Sequence, residues 1–494
     1  MNRKNVIRTR WSSSRSEDLF AVDDPATGEV FAHVQGSDEA QTDAAVRAAH
    51  QAFLEWRWRP ARERGQLLMK ASQHIAAHAD ELAELLTREN GKPLRDSRRM
   101  DVNSLMEALS YFGMLADKAP GEALDMGLIT ATTVREPFGV VAGIIPFNWP
   151  PIHVGAKVGP ALATGNTIVL KPGDQAPLTI MRIVDLLNEV LPADILHVLP
   201  GAGPAVGKAL AAHPLVRKIS FTGAPSTGSA ILKAVADRHV PVLLELGGKN
   251  PFIVFNDADI DRAVGDALDA AFFNKGEACT AASRILVQAG IYDAFAERFA
   301  TAVRRLKLGD GRDASTHVGP LISRAQQQKV LDYIKTGVEE GATIIAEGEL
   351  PTEERLRNGY FVKPTLFGGM TSDMRIAQEE IFGPVTGLMK FETEDQAVEI
   401  ANGTAFALVT AIYTGDAARA NRVARRVEAG VIYINNFVRS GGSGSPFGGT
   451  KASGYGRERA AMTMNEFTYA KALRMPSGLG EMPQWDVLKD ILDH

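Results

Sequence analysis

Cysteine is almost absent: Cys279 is the only one in 494 residues. No intrachain disulfide and no cysteine-rich zinc site can be built from one thiol. Charge of one sign is not in excess either. Lysine and arginine number 54 against 59 aspartates and glutamates, a net charge of −5. That balance leaves no broad basic footprint for nucleic acid or an anionic membrane. Long hydrophobic runs are missing too. The most apolar stretch, FGVVAGIIPF at 138–147, falls well short of the ~18 residues a membrane span needs. Short-period repeats are lacking, and low complexity is confined to GGSGS at 441–445. What remains is a chain expected to be soluble and cytoplasmic, with roughly two to four domains at about 150 residues each. The start, MNRKNVIRTRWSSSRS, has no acidic residue. It lacks the apolar core of a secretory signal and is read as a disordered basic tail rather than a transit peptide.

Residues 39–116 place apolar side chains at helical spacing, with Asn90-Gly91 and Pro93 as a stop signal. From 140 the rhythm changes. Short apolar runs at 140–146, 166–172, 195–201, 218–223 and 241–246 alternate with helix-like segments. Such alternation predicts right-handed crossovers and a parallel, Rossmann-like sheet. A second α/β region follows, with strand-like runs at 251–255, 283–288, 342–348, 408–414 and 430–436. The Thr-rich segment GLITATTVRE at 127–136 is β-prone and is expected to project as a hairpin.

Ligands of parallel α/β sheets sit beyond the carboxyl ends of the strands. The first run leads into Pro146-Phe147-Asn148-Trp149-Pro150. An amide fixed between bulky neighbours suits an oxyanion hole; the plain alternative is a turn asparagine satisfying its own backbone. The second leads into Lys171-Pro172-Gly173-Asp174. This pair suits ribose hydroxyls, and the carboxylate disfavours a 2′-phosphate, or the turn is an ordinary surface loop. The fourth run leads into Thr222-Gly223, with Gly228 five residues on, where backbone can approach a pyrophosphate. Gly201, Gly203 and Gly207 look similar but have the wrong spacing for a dinucleotide fingerprint and are read as a decoy. The fifth ends at Glu245, followed by Leu246-Gly247-Gly248-Lys249. A partly desolvated glutamate can serve as a general base, or it can pair with Lys249 as structure. Cys279, in NKGEACTA, is either a nucleophile or a small buried side chain.

His74 and His78 are four apart but lack the glutamate of a metalloprotease helix, and no metal is expected. Asp257, Asp259 and Asp261 imitate a calcium loop. Arg262 and Leu268 stand where that loop needs glycine and glutamate, so helix capping is the expectation.

Taken in order, PFNWP, KPGDQAP, FTG with STG, ELGGK, NKGEAC, EEIFGPV (379–385) and PFGGTKASGYGRE (446–458) resemble the aldehyde dehydrogenase superfamily. The opening DDPATGEVFAHV (23–34) does so as well, and coverage runs from about residue 20. The resemblance implies an α/β fold with an NAD-binding domain (1–123 and 138–248), a catalytic domain (249–466) and an oligomerisation element (124–137 and 467–494). It implies NAD-dependent oxidation of an aldehyde to its acid through a Cys279 thiohemiacetal and thioester. Asn148 and the Cys279 backbone N–H would hold the oxyanion, and Glu245 would activate the hydrolytic water. Lys171 and Asp174 would hold the adenosine ribose, Gly223 and Gly228 the pyrophosphate, and Glu380 and Phe382 the nicotinamide side. Trp149, His153, Arg439 and Phe447 would shape the substrate mouth, with Gly441 where relatives place a large aromatic. A homodimer or homotetramer is the family's usual assembly. A medium-sized apolar or aromatic aldehyde is the expected substrate. A semialdehyde held by Arg439, a CoA-acylating variant and a non-catalytic NAD-binding protein are the alternatives, and NADP is a second cofactor option. Three departures stand out: Ala224 where a hydroxyl is common, Glu277 for the usual Gln, and Asp174 for the usual Glu. A carboxylate beside the cysteine opposes thiolate formation unless it points away.

Overall fold

The computed structural model describes residues 6–118, 120–439 and 442–492. All ten apolar runs form strands. Five of them make a parallel sheet in the order Val242–Glu245, Val216–Thr222, Val140–Ile144, Thr167–Lys171, Leu196–Val198. Their β-branched and leucine side chains are buried on both faces because helices cover both. Each fully enclosed aliphatic side chain, such as Val141, Ile168 or Leu170, contributes about 1.5–3 kcal/mol. The helix Pro150–Ala163 begins with proline in its first turn, where a missing N–H is harmless, and every residue of it is buried.

The second sheet runs Thr343–Glu347, Thr365–Gly368, Val385–Phe391, Ala282–Gln288, Asn250–Val254, Val409–Tyr413, Val431–Ile434. Each sheet carries one antiparallel edge strand, so neither is purely parallel as expected. Thr343–Glu347 runs against Thr365–Gly368, and Gly454–Tyr455 runs against Val242–Glu245. The second of these edges comes from the sequence range assigned to the other domain. It places Gly454 opposite Glu245, so the two α/β regions are stitched together at the site. The Thr-rich segment forms the strand Ile129–Pro137, flanked by Ala123–Asp125 and Thr468–Pro476 in a three-stranded arm.

The basic tail is not disordered from Val6 onward, which corrects that expectation. Val6–Ile7 pairs with His33 and Val34, and the Ser12 hydroxyl donates to the Gln35 carbonyl (2.8 Å). Residues 1–5 lie outside the described residues. Asp259 caps the helix Ile260–Phe272 as expected, accepting from the Arg262 N–H (3.1 Å). His74 and His78 each face their own carboxylate, Glu189 and Glu81. Among the described residues no His/Cys/Asp/Glu group suits a metal ion, and no helix is long and apolar enough to cross a membrane.

Candidate active site

A cavity of about 720 Å³ opens beyond the carboxyl ends of the first sheet. Lys171 and Asp174 line one side as an ion pair, and Asp174 also accepts from the Gly203 N–H (3.1 Å). Gly223 and Ala224 line another side, ahead of the helix Pro225–Val235. That helix has no side-chain cap because Ala224 stands at its N-cap, so its first-turn dipole faces the cavity uncovered. Gly228 does not line the cavity. It is buried, and a Cβ there would meet Leu246 at 3.1 Å, so its role is close packing rather than phosphate contact. The supposed decoy needs the opposite correction: Gly203 and Gly207, with Lys208, line the same cavity. Their spacing hid this because the cavity is closed from two separate strand ends.

Cys279 follows a turn whose backbone is under strain. Asn274 (φ 50°), Lys275 (φ 54°) and Gly276 (φ 70°) are left-handed in succession. A side chain at Gly276 would strike the Gly383 carbonyl. Behind the thiol, the Asn250 amide donates to the carbonyls of Cys279 (2.7 Å) and Ala281 (3.0 Å). Cys279 is half-buried by area, and protein surrounds it closely. Burial, then the nearby Glu380 and Glu245 carboxyls, push its thiol up to about 12, opposed by Arg459 and its own backbone N–H.

Glu245 ends its strand buried, and neither carboxyl oxygen has a partner. It does not pair with Lys249, whose ammonium is also buried without a partner. Burial, then the negative Glu458, hold the Glu245 carboxyl well above the usual range. A Cβ at Gly448 would lie 2.5 Å from its Oε1, so the backbone there can carry no side chain. Beneath it, Lys157 binds Glu458 (2.9 Å), the Ser220 hydroxyl (3.0 Å) and the Thr222 hydroxyl (2.9 Å).

Asn148 is 3% exposed, with its Nδ2 donating to the Glu277 carbonyl (3.3 Å). A buried polar network fixes its loop. Lys92 Nζ donates to the Asn148 carbonyl (2.9 Å) and to both Asp101 oxygens (3.1 and 3.0 Å). Asn274 Nδ2 reaches the Asn148 carbonyl (3.1 Å) and the Glu277 carbonyl (3.0 Å). Lys275 Nζ donates to Asn90 twice (2.6 Å each) and lies 3.4 Å from Glu277. Glu277 therefore points away from the thiol: its Oε1 accepts from the Ile322 N–H (3.0 Å). Sequence reasoning passed over Lys92 and Asp101, which carry no motif, and gave Asn90 and Asn274 no part in the site, because they act through distant partners.

Glu380 accepts from the Gly248 N–H (3.0 Å), and burial raises its carboxyl. Phe382 is left-handed (φ 61°) and meets Phe147 edge-on at 5.9 Å. Of the residues expected at a substrate mouth, Trp149 stacks on Phe273 (5.7 Å, 10°), and Phe447 packs beneath Arg459 (4.7 Å). His153 is buried with both ring nitrogens unpartnered; burial, then positive Lys157, hold it neutral. Arg439 is neither a solvated loop charge nor a free cation. It pairs with Asp269, donates to the carbonyls of Asp269 (3.1 Å) and Ala270 (3.2 Å), and lies over Phe437. Gly441 lies outside the described residues.

The sequence pattern of the aldehyde dehydrogenase family matches residues 11–473. An aldehyde dehydrogenase of Didymella fabae is 50% identical over 489 residues, covering 99% of both chains. The aldehyde dehydrogenase citD of Monascus ruber is 48% identical over 486 residues, covering 98% of this chain and 97% of its own. The crystal structure of betaine aldehyde dehydrogenase from Staphylococcus aureus in complex with NAD+ superposes with a TM-score of 0.92 at 37% identity, covering 97% of this chain and 94% of that one. With the match spanning nearly the whole chain, this protein belongs to the aldehyde dehydrogenase family.

Proposed function

We propose that the chain oxidises a medium-sized aldehyde with an apolar or aromatic body to its carboxylic acid, using NAD. The observation that carries this is the nearness of three groups: the unpartnered Glu245 carboxyl, whose charge acts on the Cys279 thiol, and the Asn148 amide, whose Nδ2 bonds the carbonyl of Glu277 two residues before that thiol. Asn148 follows the strand Val140–Ile144, Glu245 ends the strand Val242–Glu245, and Cys279 precedes the strand Ala282–Gln288; both Glu245 oxygens and the Asn148 Oδ1 are buried without a partner.

The large cavity fits NAD. The uncapped helix Pro225–Val235 suits the pyrophosphate. Lys171 and Asp174 suit the adenosine ribose, and the carboxylate of Asp174 disfavours the 2′-phosphate of NADP. NAD, when bound there, supplies hydride acceptance, the chemistry that turns a thiohemiacetal on Cys279 into a thioester. The protein's own groups do the rest. Cys279 gives its thiol proton to solvent, and the thiolate sulfur attacks the carbonyl carbon. Asn148 Nδ2 and the Cys279 backbone N–H hold the oxyanion beside buried protein groups. In the second half Glu245 takes a proton from water, the hydroxide adds to the thioester, and the carbon–sulfur bond breaks. The acid leaves, and the departing sulfur takes the proton from Glu245, which restores both the thiol and the ionised carboxylate. Lys157, bridging Glu458 and the Thr222 hydroxyl, sets the charge beneath Glu245.

Trp149, Phe273 and Phe447 support the apolar or aromatic body. The exposed strand Thr468–Pro476, with Tyr469, Leu473 and Met475 outward, supports a homodimer or homotetramer. NADH formation across an aldehyde panel, with and without CoA, tests the proposal. Turnover without CoA, abolished in Cys279→Ser, supports it. Strict CoA dependence selects the acylating alternative, and Cys279→Ser turning over at the wild-type rate refutes it.

A further inference from the structure

Asn250 directly follows ELGGK and carries no motif of its own. It is 2% exposed and opens the strand Asn250–Val254, which lies between Ala282–Gln288 and Val409–Tyr413. The ladder is irregular at this end. Its register toward Ala282–Gln288 shifts between Asn250 and Pro251, and Pro251 has no N–H to give. Toward Val409–Tyr413, backbone pairing begins only at Phe252 with Ala411. The Asn250 side chain fills the gap on both sides. Its Nδ2 donates to the carbonyls of Cys279 (2.7 Å) and Ala281 (3.0 Å), and its Oδ1 accepts from the Val409 N–H (3.1 Å). A backbone N–H only donates and a carbonyl only accepts, so these partners fix which way the amide faces.

The two carbonyls belong to one tight turn. The Ala281 N–H donates to the Ala278 carbonyl (3.0 Å), which makes Cys279 the second residue of that turn. Asn250 therefore holds the second and fourth carbonyls. With both peptide planes held, the Cys279 N–H and the bond from its Cα to its Cβ have set directions. The other side is filled by backbone: a Cβ at Gly248 would lie 2.5 Å from the Cys279 carbonyl and 2.7 Å from Asn250 Oδ1. The Gly248 N–H itself donates to Glu380 (3.0 Å). One short segment, Glu245 to Asn250, thus carries the buried carboxyl, the contact to Glu380 and the hold on the cysteine turn.

We propose that Asn250 is a positioning residue for the nucleophile: its amide locks the Ala278–Ala281 turn, so that the Cys279 thiol and backbone N–H keep their alignment with Glu245 and Asn148. This rests on the aldehyde oxidation proposed above and assigns part of its rate to a side chain that touches no reactant. Releasing the turn has two effects of opposite sign. Misplacing reacting groups by about 1 Å slows turnover roughly a hundredfold. A thiol no longer held among protein groups meets water and ionises more readily, so it reacts faster with a small alkylating agent.

The test measures kcat, KM for NAD, the rate of Cys279 alkylation by iodoacetamide and the melting temperature. Asn250→Ala is expected to lower kcat roughly a hundredfold, with KM for NAD little changed and alkylation faster than in the wild type. Thr386→Val is the control. Thr386 is buried, and its hydroxyl donates to the Ala282 carbonyl (2.8 Å), one residue beyond the turn. Losing that bond is expected to lower the melting temperature and to leave kcat and alkylation near wild type. Asn250→Asp decides the matter if the alanine variant does not fold. It keeps the shape and the acceptor for Val409, and its ionised carboxylate has no donor for the two carbonyls. Its kcat relative to wild type is expected to be low and to rise as pH falls and the carboxyl regains a proton. A kcat for Asn250→Ala within about tenfold of wild type, slow turnover with unchanged alkylation, or losses matched by Thr386→Val overturn the positioning role. So does Asn250→Asp turning over like the wild type at every pH. Absence of NADH from the wild type refutes the oxidation instead, and alkylation still reads the hold on the turn.

Discussion

Replacing Asn148 by alanine separates chemistry from folding. The Asn148 backbone carbonyl, which receives Lys92 (2.9 Å) and Asn274 (3.1 Å), survives the substitution. The side chain gives up a single long hydrogen bond, 3.3 Å to the Glu277 carbonyl. That carbonyl keeps the Asn274 amide at 3.0 Å. The stability loss is therefore about 1 kcal/mol or less. The catalytic loss is much larger. One oxyanion donor contributes about 2.7–4 kcal/mol to the transition state, a factor of roughly 100–1000 in kcat. The assay is steady-state NADH formation beside thermal unfolding, with the rate of Cys279 alkylation as a control for the thiol. The expected outcome is a 100- to 1000-fold fall in kcat, a melting temperature lower by at most a few degrees, and near-normal alkylation. A fall in kcat below tenfold refutes the oxyanion role. A large loss of stability shows that the amide is structural instead.

In the proposed mechanism Glu245 works as a carboxylate, and burial raises its pKa, so activity is expected to be gained as pH rises through that raised value. The ascending limb of kcat against pH is expected above the ordinary carboxylate range, and Glu245→Gln should remove the limb along with most thioester hydrolysis. Lys92→Met leaves Asp101 as a buried unpaired charge; unfolding in denaturant should show a loss of about 3–5 kcal/mol, with Asp101→Asn in the same chain recovering part of it. Glu89 accepts from the Leu178 and Thr179 N–H groups (2.8 Å each) at the start of the helix Leu178–Asn188, and burial raises its carboxyl to about 7. Because the folded value lies above the unfolded one, its contribution is full at acid pH and is lost as pH rises through about 7. Unfolding at pH 5 and pH 8 should therefore show the advantage of wild type over Glu89→Gln shrinking at the higher pH.

Much of the fold was readable because parallel strands enclosed by helices are written as short continuous apolar runs, and each such run became a strand. The strand ends were readable for the same reason, since polar groups after apolar runs fall on one edge of a sheet. What escaped depends on partners far apart in the chain. Nothing local says that Arg439 meets Asp269, 170 positions away, or that Glu277 turns toward Ile322. The lining glycines 203 and 207 were dismissed by spacing, which assumes one continuous turn, whereas the cavity is walled by several. The tail was misread because composition alone cannot show that Val6–Ile7 finds an open strand edge at His33–Val34. Gly228 was misassigned because a glycine in a helix serves packing as readily as ligand approach.

The central claim is a covalent acyl intermediate on Cys279. Because this is the chain's only cysteine, intact-mass measurement reads the claim without mapping. Glu245→Gln, mixed with NAD and aldehyde and quenched in acid after one turnover, should gain the mass of one acyl group, released by hydroxylamine and absent in the same chain carrying Cys279→Ser. One equivalent of NADH formed with no added mass, or added mass that survives Cys279→Ser, contradicts it.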